Sequence, residues 1–159
     1  MSRAFTSEEN NEAIADIGER PVSEHRNLVT GEGLAHIDAE VARLRRELAK
    51  AEADADRERI ALASRDLRYW NARRETAELS EPEKDSDVVR FGMTVRLVEE
   101  DGAEKSWTIV GEDEADPAKG SISHVSPMAQ ALFGKQAGDV VTVSGREWEI
   151  VSMSIPAVG

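Results

Sequence analysis

Leu34-Ala35-His36-Ile37-Asp38-Ala39-Glu40-Val41-Ala42-Arg43-Leu44-Arg45-Arg46-Glu47-Leu48-Ala49-Lys50-Ala51 decides the fold. Its apolar side chains at 34, 37, 41, 44, 48 and 51 recur at alternating spacings of three and four, which is the seam of a coiled coil and not the wider stripe of a core helix. Asp38, Glu40, Arg43, Arg45, Arg46 and Glu47 fill the remaining positions as a solvated flank. Thr30 stands before the seam as an N-cap, and Glu32 places an acid at the positive end of the helix.

Downstream, the pattern loses definition over Ala51-Glu52-Ala53-Asp54-Ala55-Asp56 and resumes at Ile60, Ala63, Leu67, Trp70 and Ala77. A helix with a single apolar seam needs a partner, and the nearest one is the next segment folded back against it. The spacing predicts two antiparallel helices over 31–52 and 57–79 with a tip at Ala53–Asp56, each arm about 33 Å long at 1.5 Å per residue. The tip contains no Gly or Pro, so a single long helix that dimerises is the other arrangement this pattern allows.

Upstream, residues 1–29 have no sustained period, and Gly18 and Pro21 interrupt them. Beyond a short helical turn around Ala13–Ile17, this segment reads as a flexible acidic tail. Residues 30–80 are the hairpin, and Ser80-Glu81-Pro82-Glu83-Lys84-Asp85-Ser86-Asp87 marks a polar linker over 81–88.

From 89 to 159 the period becomes strand-like. Thr94–Val98 and Ser106–Val110 flank a turn at Asp101-Gly102, and Asp139–Val143 and Trp148–Ile155 flank Ser144-Gly145, giving two hairpins. Ser121–Val125 is a short strand. Ser126 caps a brief helix over Met128–Phe133, with Pro127 at its first position and Gly134 ending it. In the last strand the apolar positions 148 and 150 give way to 151, 153 and 155, a change of phase that signals a bulge. The whole is an α+β chain, a helical hairpin followed by a small twisted antiparallel sheet with one short helix.

Charge narrows the function. The 159 residues carry 32 acids against 20 Lys and Arg, net −12. Residues 1–30 hold net −3, the arginine-rich segment 31–80 is nearly neutral, and residues 81–159 hold net −8. Broad, salt-driven binding to nucleic acid needs a positive face, so contact with nucleic acid is expected only through another molecule. Arg65, Arg68, Arg73 and Arg74 line the second arm, where pairing with Asp66, Glu75 and Glu78 competes with any phosphate role. No apolar run reaches the roughly 20 residues a membrane helix needs, and the N-terminus has no hydrophobic signal core. There is no cysteine, which excludes disulfides, thiolate nucleophiles and Cys-based zinc sites. A cytoplasmic protein is expected.

Signs of catalysis are few. His25, His36 and His124 lie in three segments without metal-ligand spacing, and no P-loop, G-x-G-x-x-G or G-x-S-x-G occurs. Glu112-Asp113-Glu114-Asp116 lacks the ligand spacing, central Gly and closing Glu of a calcium loop. Two features stand out. The tip acids Glu52, Asp54, Asp56 and Glu58 could hold Mg²⁺ if another molecule completed the site. Ser126-Pro127-Met128-Ala129-Gln130-Ala131-Leu132 joins a capped helix start to an exposed loop, and reads either as a docking face or as core packing.

From Phe91-Gly92 onward the chain resembles the C-terminal domain of the bacterial GreA/GreB transcription elongation factors. The residues that carry this are Ile109-Val110-Gly111-Glu112-Asp113-Glu114-Ala115-Asp116, Ile122-Ser123, Ser126 to Lys135, and Gly138-Asp139-Val140-Val141. Thr30 and Gly33 are similar to the start of that family's hairpin, and Leu67-Arg68-Tyr69-Trp70 to the returning arm of its GreB type. The resemblance implies a coiled-coil hairpin and an FKBP-like C-terminal domain. It implies RNA polymerase as partner, with the C-terminal domain docked on the rim of the secondary channel and the hairpin inside it. Asp113, Glu114, Ser126, Pro127 and Met128 would form the docking face of a monomer.

The sequence also departs from the family. Cleavage factors carry an Asp-x-x-Glu pattern followed by Asn at the tip, whose acids help bind a catalytic Mg²⁺ in the polymerase active site. That stretch is missing here, the arms are several turns shorter, and Val125 stands where the family often has Asn or Asp. The expectation is therefore a non-enzymatic regulator with no cofactor of its own, which modulates or obstructs the channel. Stimulation of transcript cleavage through Asp54 and Asp56, with a shared Mg²⁺, is the alternative. Two further readings are a regulator resembling the short-hairpin nucleoside diphosphate kinase regulators and an FKBP-like prolyl isomerase or peptide-binding module. The last would need an aromatic-lined pocket from Phe91, Trp107, Phe133 and Trp148.

Overall fold

A computed structural model describes residues 17–157. The turn expected around Ala13–Ile17 lies outside them except for Ile17, as does more than half of the expected tail. Contacts divide the chain into two compact units. One gathers the segment up to Glu24 with Ala35–Thr76, and the other gathers His25–Leu34 with everything from Ala77 onward.

In the helical unit, α1 (Gly31–Ala53) and α2 (Arg57–Thr76) run antiparallel. His36 meets the ring of Trp70 edge-on at 5.4 Å, and Asp38 pairs with Arg74 at 2.6 Å. The hairpin is thus realised in place of the single long helix. The seam is buried as the spacing requires, with Ile37, Val41, Leu44 and Ala51 on α1 and Ala63 and Trp70 on α2. Each fully buried aliphatic side chain contributes about 1.5–3 kcal/mol.

The turn between the arms is made without glycine. Ala55 adopts φ 51°, its N–H donates to the Glu52 carbonyl at 3.1 Å, and the Asp56 N–H donates to the Ala51 carbonyl at 3.0 Å. This pair of bonds is a Schellman motif with alanine at the left-handed position. Asp56 then caps α2, its Oδ1 accepting from the Arg59 N–H at 3.2 Å.

The arginines of α2 are paired, though mostly with other acids than the neighbours expected. Arg65 holds Asp66, Arg68 holds Glu19 and Arg74 holds Asp38, while Glu78 pairs with Arg26. Arg73 is buried, because position 73 follows Trp70 by three and falls on the seam. Burial of a guanidinium is costly unless it is partnered, and Arg73 is not without a partner.

The second unit starts before the hairpin. Strand β1 (Leu28–Val29) pairs in parallel with β2 (Glu78–Leu79). So residues 26–29, placed in the tail by their lack of period, lie against the chain that follows α2, and Arg26 donates to Glu78 at 3.1–3.2 Å.

The main sheet is five-stranded. It comprises β3 (Thr94–Glu99), β4 (Glu104–Val110), β5 (Ser121–Ser123), β6 (Val140–Val143) and β7 (Arg146–Ser154), in the order β5-β4-β3-β7-β6. Both expected hairpins form, the second through Ser144 (φ 52°) and Gly145 (φ 77°), as a two-residue hairpin turn demands. The expected all-antiparallel sheet needs one correction. β5 pairs in parallel with β4, because the chain crosses back over residues 111–120 before it resumes.

The phase change in β7 is a bulge. Register against β3 shifts between Arg96 and Leu97, which face Ser152 and Ile150, and leaves Val151 as the extra residue. Trp148 and Ile150 are buried, whereas Val151 and Ile155 face outward. The short helix α3 (Pro127–Leu132) closes the core, with Ala129 and Leu132 fully buried beside Leu97, Ile109 and Ile150.

Candidate functional site

The parallel pairing of β4 and β5 decides which loops meet. Val110 faces Ser123 and the His124 N–H donates to the Val110 carbonyl at 2.9 Å, so both strands end at the same edge of the sheet. The acidic loop after Val110 and the loop into α3 leave from that edge together. Sequence order alone separates them by a dozen residues; the parallel crossover brings them side by side.

The α3 loop is tied down by short-range bonds. The Ser126 hydroxyl accepts from the Ala129 N–H at 3.3 Å, the Val125 N–H donates to the Ser123 hydroxyl at 3.2 Å, and Gln130 Nε2 donates to the His124 carbonyl at 2.6 Å. His124 itself is buried edge-on against Phe91, with ring centroids 5.6 Å apart. These bonds hold Pro127 exposed at the first position of the helix, Ser126 and Met128 half-buried, and Ala129 in the core. The segment therefore has two faces. Its inner face is core, and its leading edge, Pro127 with part of Met128, is open surface.

The acidic loop behaves differently. Glu114 Oε2 accepts the N–H of Gly111 at 2.9 Å and the N–H of Thr30 at 3.1 Å, and Oε1 accepts the Thr30 hydroxyl. The Thr30 hydroxyl in turn caps α1, accepting from the Gly33 N–H at 3.0 Å. A Cβ on Gly33 would lie 2.1 Å from the Glu114 carboxyl carbon, and one on Gly111 would lie 2.5 Å from the Leu28 carbonyl oxygen. Four residues from two distant stretches thus form one hydrogen-bonded cluster in which the glycines give room for close approach. Thr30 was legible as a cap. Its bond to Glu114 was not, since nothing local pairs residue 30 with residue 114. Asp113, the neighbouring candidate, is half-buried and in polar contact.

The acidic loop and the loop into α3 both lie within the stretch that a family comparison matches. A profile of the family described as "Transcription elongation factor, GreA/GreB, C-term" matches residues 83–155. A transcription elongation factor GreA of Desulfovibrio desulfuricans is 44% identical over 107 residues, 64% of this chain and 66% of that protein. Residues 83–155 belong to the GreA/GreB C-terminal family. A second GreA, from Bacillus licheniformis, is 58% identical over 59 residues, 36% of this chain and 37% of that one. The aligned region spans at most about two thirds of these curated relatives. Among solved structures, GreA factor homolog 1 of Thermus thermophilus is 22% identical with a TM-score of 0.40, over 81% of this chain and 99% of that one.

At the other candidate site, the hairpin tip, the Asp54 and Asp56 carboxylates already have partners. Arg59 Nη1 lies 3.0 Å from Asp54 Oδ2 and 3.9 Å from Asp56 Oδ2, and Asp56 Oδ1 is the cap of α2. Among the described residues no group of three or more His, Asp or Glu side chains is arranged to hold a metal ion. Arg59 is the residue that sequence reasoning missed here. It stands five positions from Asp54 across a turn, a spacing with no helical meaning.

A surface depression of about 500 Å³ lies at the tips of the two β-hairpins, lined by Glu99, Glu100, Asp101, Thr142, Gly145, Arg146 and Glu147. The hydrogen bond and like charge of Glu147 push the Glu100 carboxyl above its ordinary range. The lining holds no aromatic side chain. Phe91 and Trp148 are in the core, and Trp107 and Phe133 pack against it. No helix among the described residues is long and apolar enough to cross a membrane.

Proposed function

We propose that this protein is a transcription elongation regulator that binds bacterial RNA polymerase in the cytoplasm, acting as a monomer. Its C-terminal domain docks on the rim of the secondary channel through the edge built from Ser126, Pro127 and Met128, and its short hairpin reaches into the channel. It has no catalytic activity or cofactor of its own. The family match over residues 83–155 carries this reading. The exposed, rigidly capped Pro127 beside a half-buried Met128 supplies the kind of preorganised anchor that docking surfaces use. Asp113 belongs to the same edge, while Glu114 serves it by fixing the loop. The −8 charge of the C-terminal segment would speed encounter with a basic surface on the polymerase.

The tip favours modulation or obstruction over cleavage stimulation. Asp54 is held by Arg59 and Asp56 caps a helix, so recruiting either to a shared Mg²⁺ would break an existing bond. A transcript-cleavage assay on stalled complexes tests this. The expected result is no release of short 3′ RNA. Release that vanishes in the Asp54→Ala, Asp56→Ala double variant would establish the cleavage role instead. The peptide-isomerase reading loses its support with the aromatic residues committed to the core, and an assay on a proline peptide should show no turnover.

A further inference from the structure

The segment just ahead of the hairpin unit's first helix lies across the second helix. The Arg20 guanidinium sits over the Tyr69 ring at 4.0 Å and reaches Asp66 Oδ1 at 3.4 Å. Glu19 takes both prongs of Arg68, with Nε to Oε2 at 3.0 Å. Arg65 donates to the Ile17 carbonyl at 3.4 Å while also holding Asp66. Positions 65, 66, 68 and 69 form one face of α2. Residues 17–20 therefore lie on the rod as a third layer of chain.

What holds this layer differs from what holds the two helices together. The helices share an apolar seam. The layer is held by ion pairs, one hydrogen bond to the Ile17 carbonyl and contacts of Arg20 with the Tyr69 and Trp70 rings, with the Glu19 and Arg68 side chains 63% and 57% exposed. Exposed pairs of this kind are individually weak and screened by salt, so the layer can open while the hairpin stays folded. Its place along the rod matters too. Arg65 is eight residues past the start of α2, so only about 12 Å of that helix lies between the layer and the tip.

We propose that residues 17–20 are a detachable clasp on α2, a collar that thickens the helical rod partway along and limits how deeply it can be inserted into a narrow opening. This rests on the reading of the hairpin as a channel-inserted element. Closed, the clasp stops insertion near Arg65; open, it frees the full arm.

The absence of cysteine allows a direct test. A single thiol is introduced at the exposed tip as Glu52→Cys, and its rate of maleimide labelling is measured free and bound to core RNA polymerase. This is done with the clasp intact and with Glu19→Ala, Arg20→Ala. The free proteins should label alike. In the complex, the opened clasp should slow labelling several-fold by seating the tip deeper, and the swapped pair Glu19→Arg, Arg68→Glu should restore the intact rate. Binding with equal tip labelling in all variants would overturn the collar alone. Failure of every variant, and of the unaltered chain, to bind polymerase would overturn both the collar and the function it rests on.

Discussion

Glu114 accepts both the backbone N–H and the hydroxyl of Thr30, 84 positions earlier in the chain. The same carboxylate takes the Gly111 N–H, and the same hydroxyl caps the first turn of α1 through Gly33. Hydrogen bonds to a charged acceptor contribute about 1.5–3 kcal/mol, and a lost Thr cap costs about 1 kcal/mol. Glu114→Ala should therefore lower unfolding free energy by about 2 kcal/mol and Thr30→Ala by about 1 kcal/mol. Because the two share one network, the double variant should lose less than the sum. Urea unfolding of the four proteins in a double-mutant cycle checks this, and strict additivity would show the bonds to be independent.

The glycine and alanine positions should respond with opposite signs. Ala55 carries a positive φ that costs an L-residue about 1–2 kcal/mol, so Ala55→Gly should stabilise the hairpin by about 1 kcal/mol. Gly111→Ala would place a methyl 2.5 Å from the backbone oxygen of Leu28, which cannot rotate away. Its cost should be at least about 2 kcal/mol, in the range of overpacked sites. Thermal unfolding of the two single variants gives both signs directly.

Acidity at the β-hairpin tips leaves a pH signature. Since Glu147 raises the Glu100 carboxyl, the folded state holds a proton there that the unfolded chain has already released. This contribution favours folding below the ordinary carboxylate range. It is lost as pH rises through the raised folded value, and stays lost at neutral pH. Glu147→Gln should raise the thermal midpoint at pH 7, and its advantage should shrink on acidification below about pH 4. Both groups are exposed, so the shift is small. A midpoint difference that does not change with pH would argue against the pair.

Much of the fold could be read from spacing. The seam at Ile37, Val41 and Leu44 fixes a partnered helix because a three-four repeat puts those residues on one face, and the alternation through Val95 and Leu97 fixes a half-buried strand. Ala55 was harder to read, since sequence gives no sign that an alanine will accept a left-handed backbone. β1 and β2 were invisible, being two residues each and fifty positions apart. The parallel β5 was read as a strand, but its direction depends on where the crossover returns, which periodicity does not encode. Of the candidate docking residues, Ser126, Pro127 and Met128 were recognisable through the cap and the proline. Glu114 was singled out too, but its partners Thr30 and Gly111 emerge only when the chain is folded.

The docking edge makes a prediction separate from stability. Pro127 is exposed and Met128 half-buried, so Pro127→Asp should leave the unfolding free energy within about 1 kcal/mol, since a first-turn acid is tolerated at a helix start. Its effect belongs to the interface. Circular dichroism should show the fold unchanged.

Binding to core RNA polymerase, measured by fluorescence anisotropy of the chain labelled at an introduced Glu52→Cys thiol, tests the central claim most directly. The account predicts saturable binding at or below micromolar concentration, weakened about tenfold or more by Pro127→Asp, a loss of at least about 1.4 kcal/mol. No binding at micromolar concentration, or binding that Pro127→Asp leaves untouched, would contradict it.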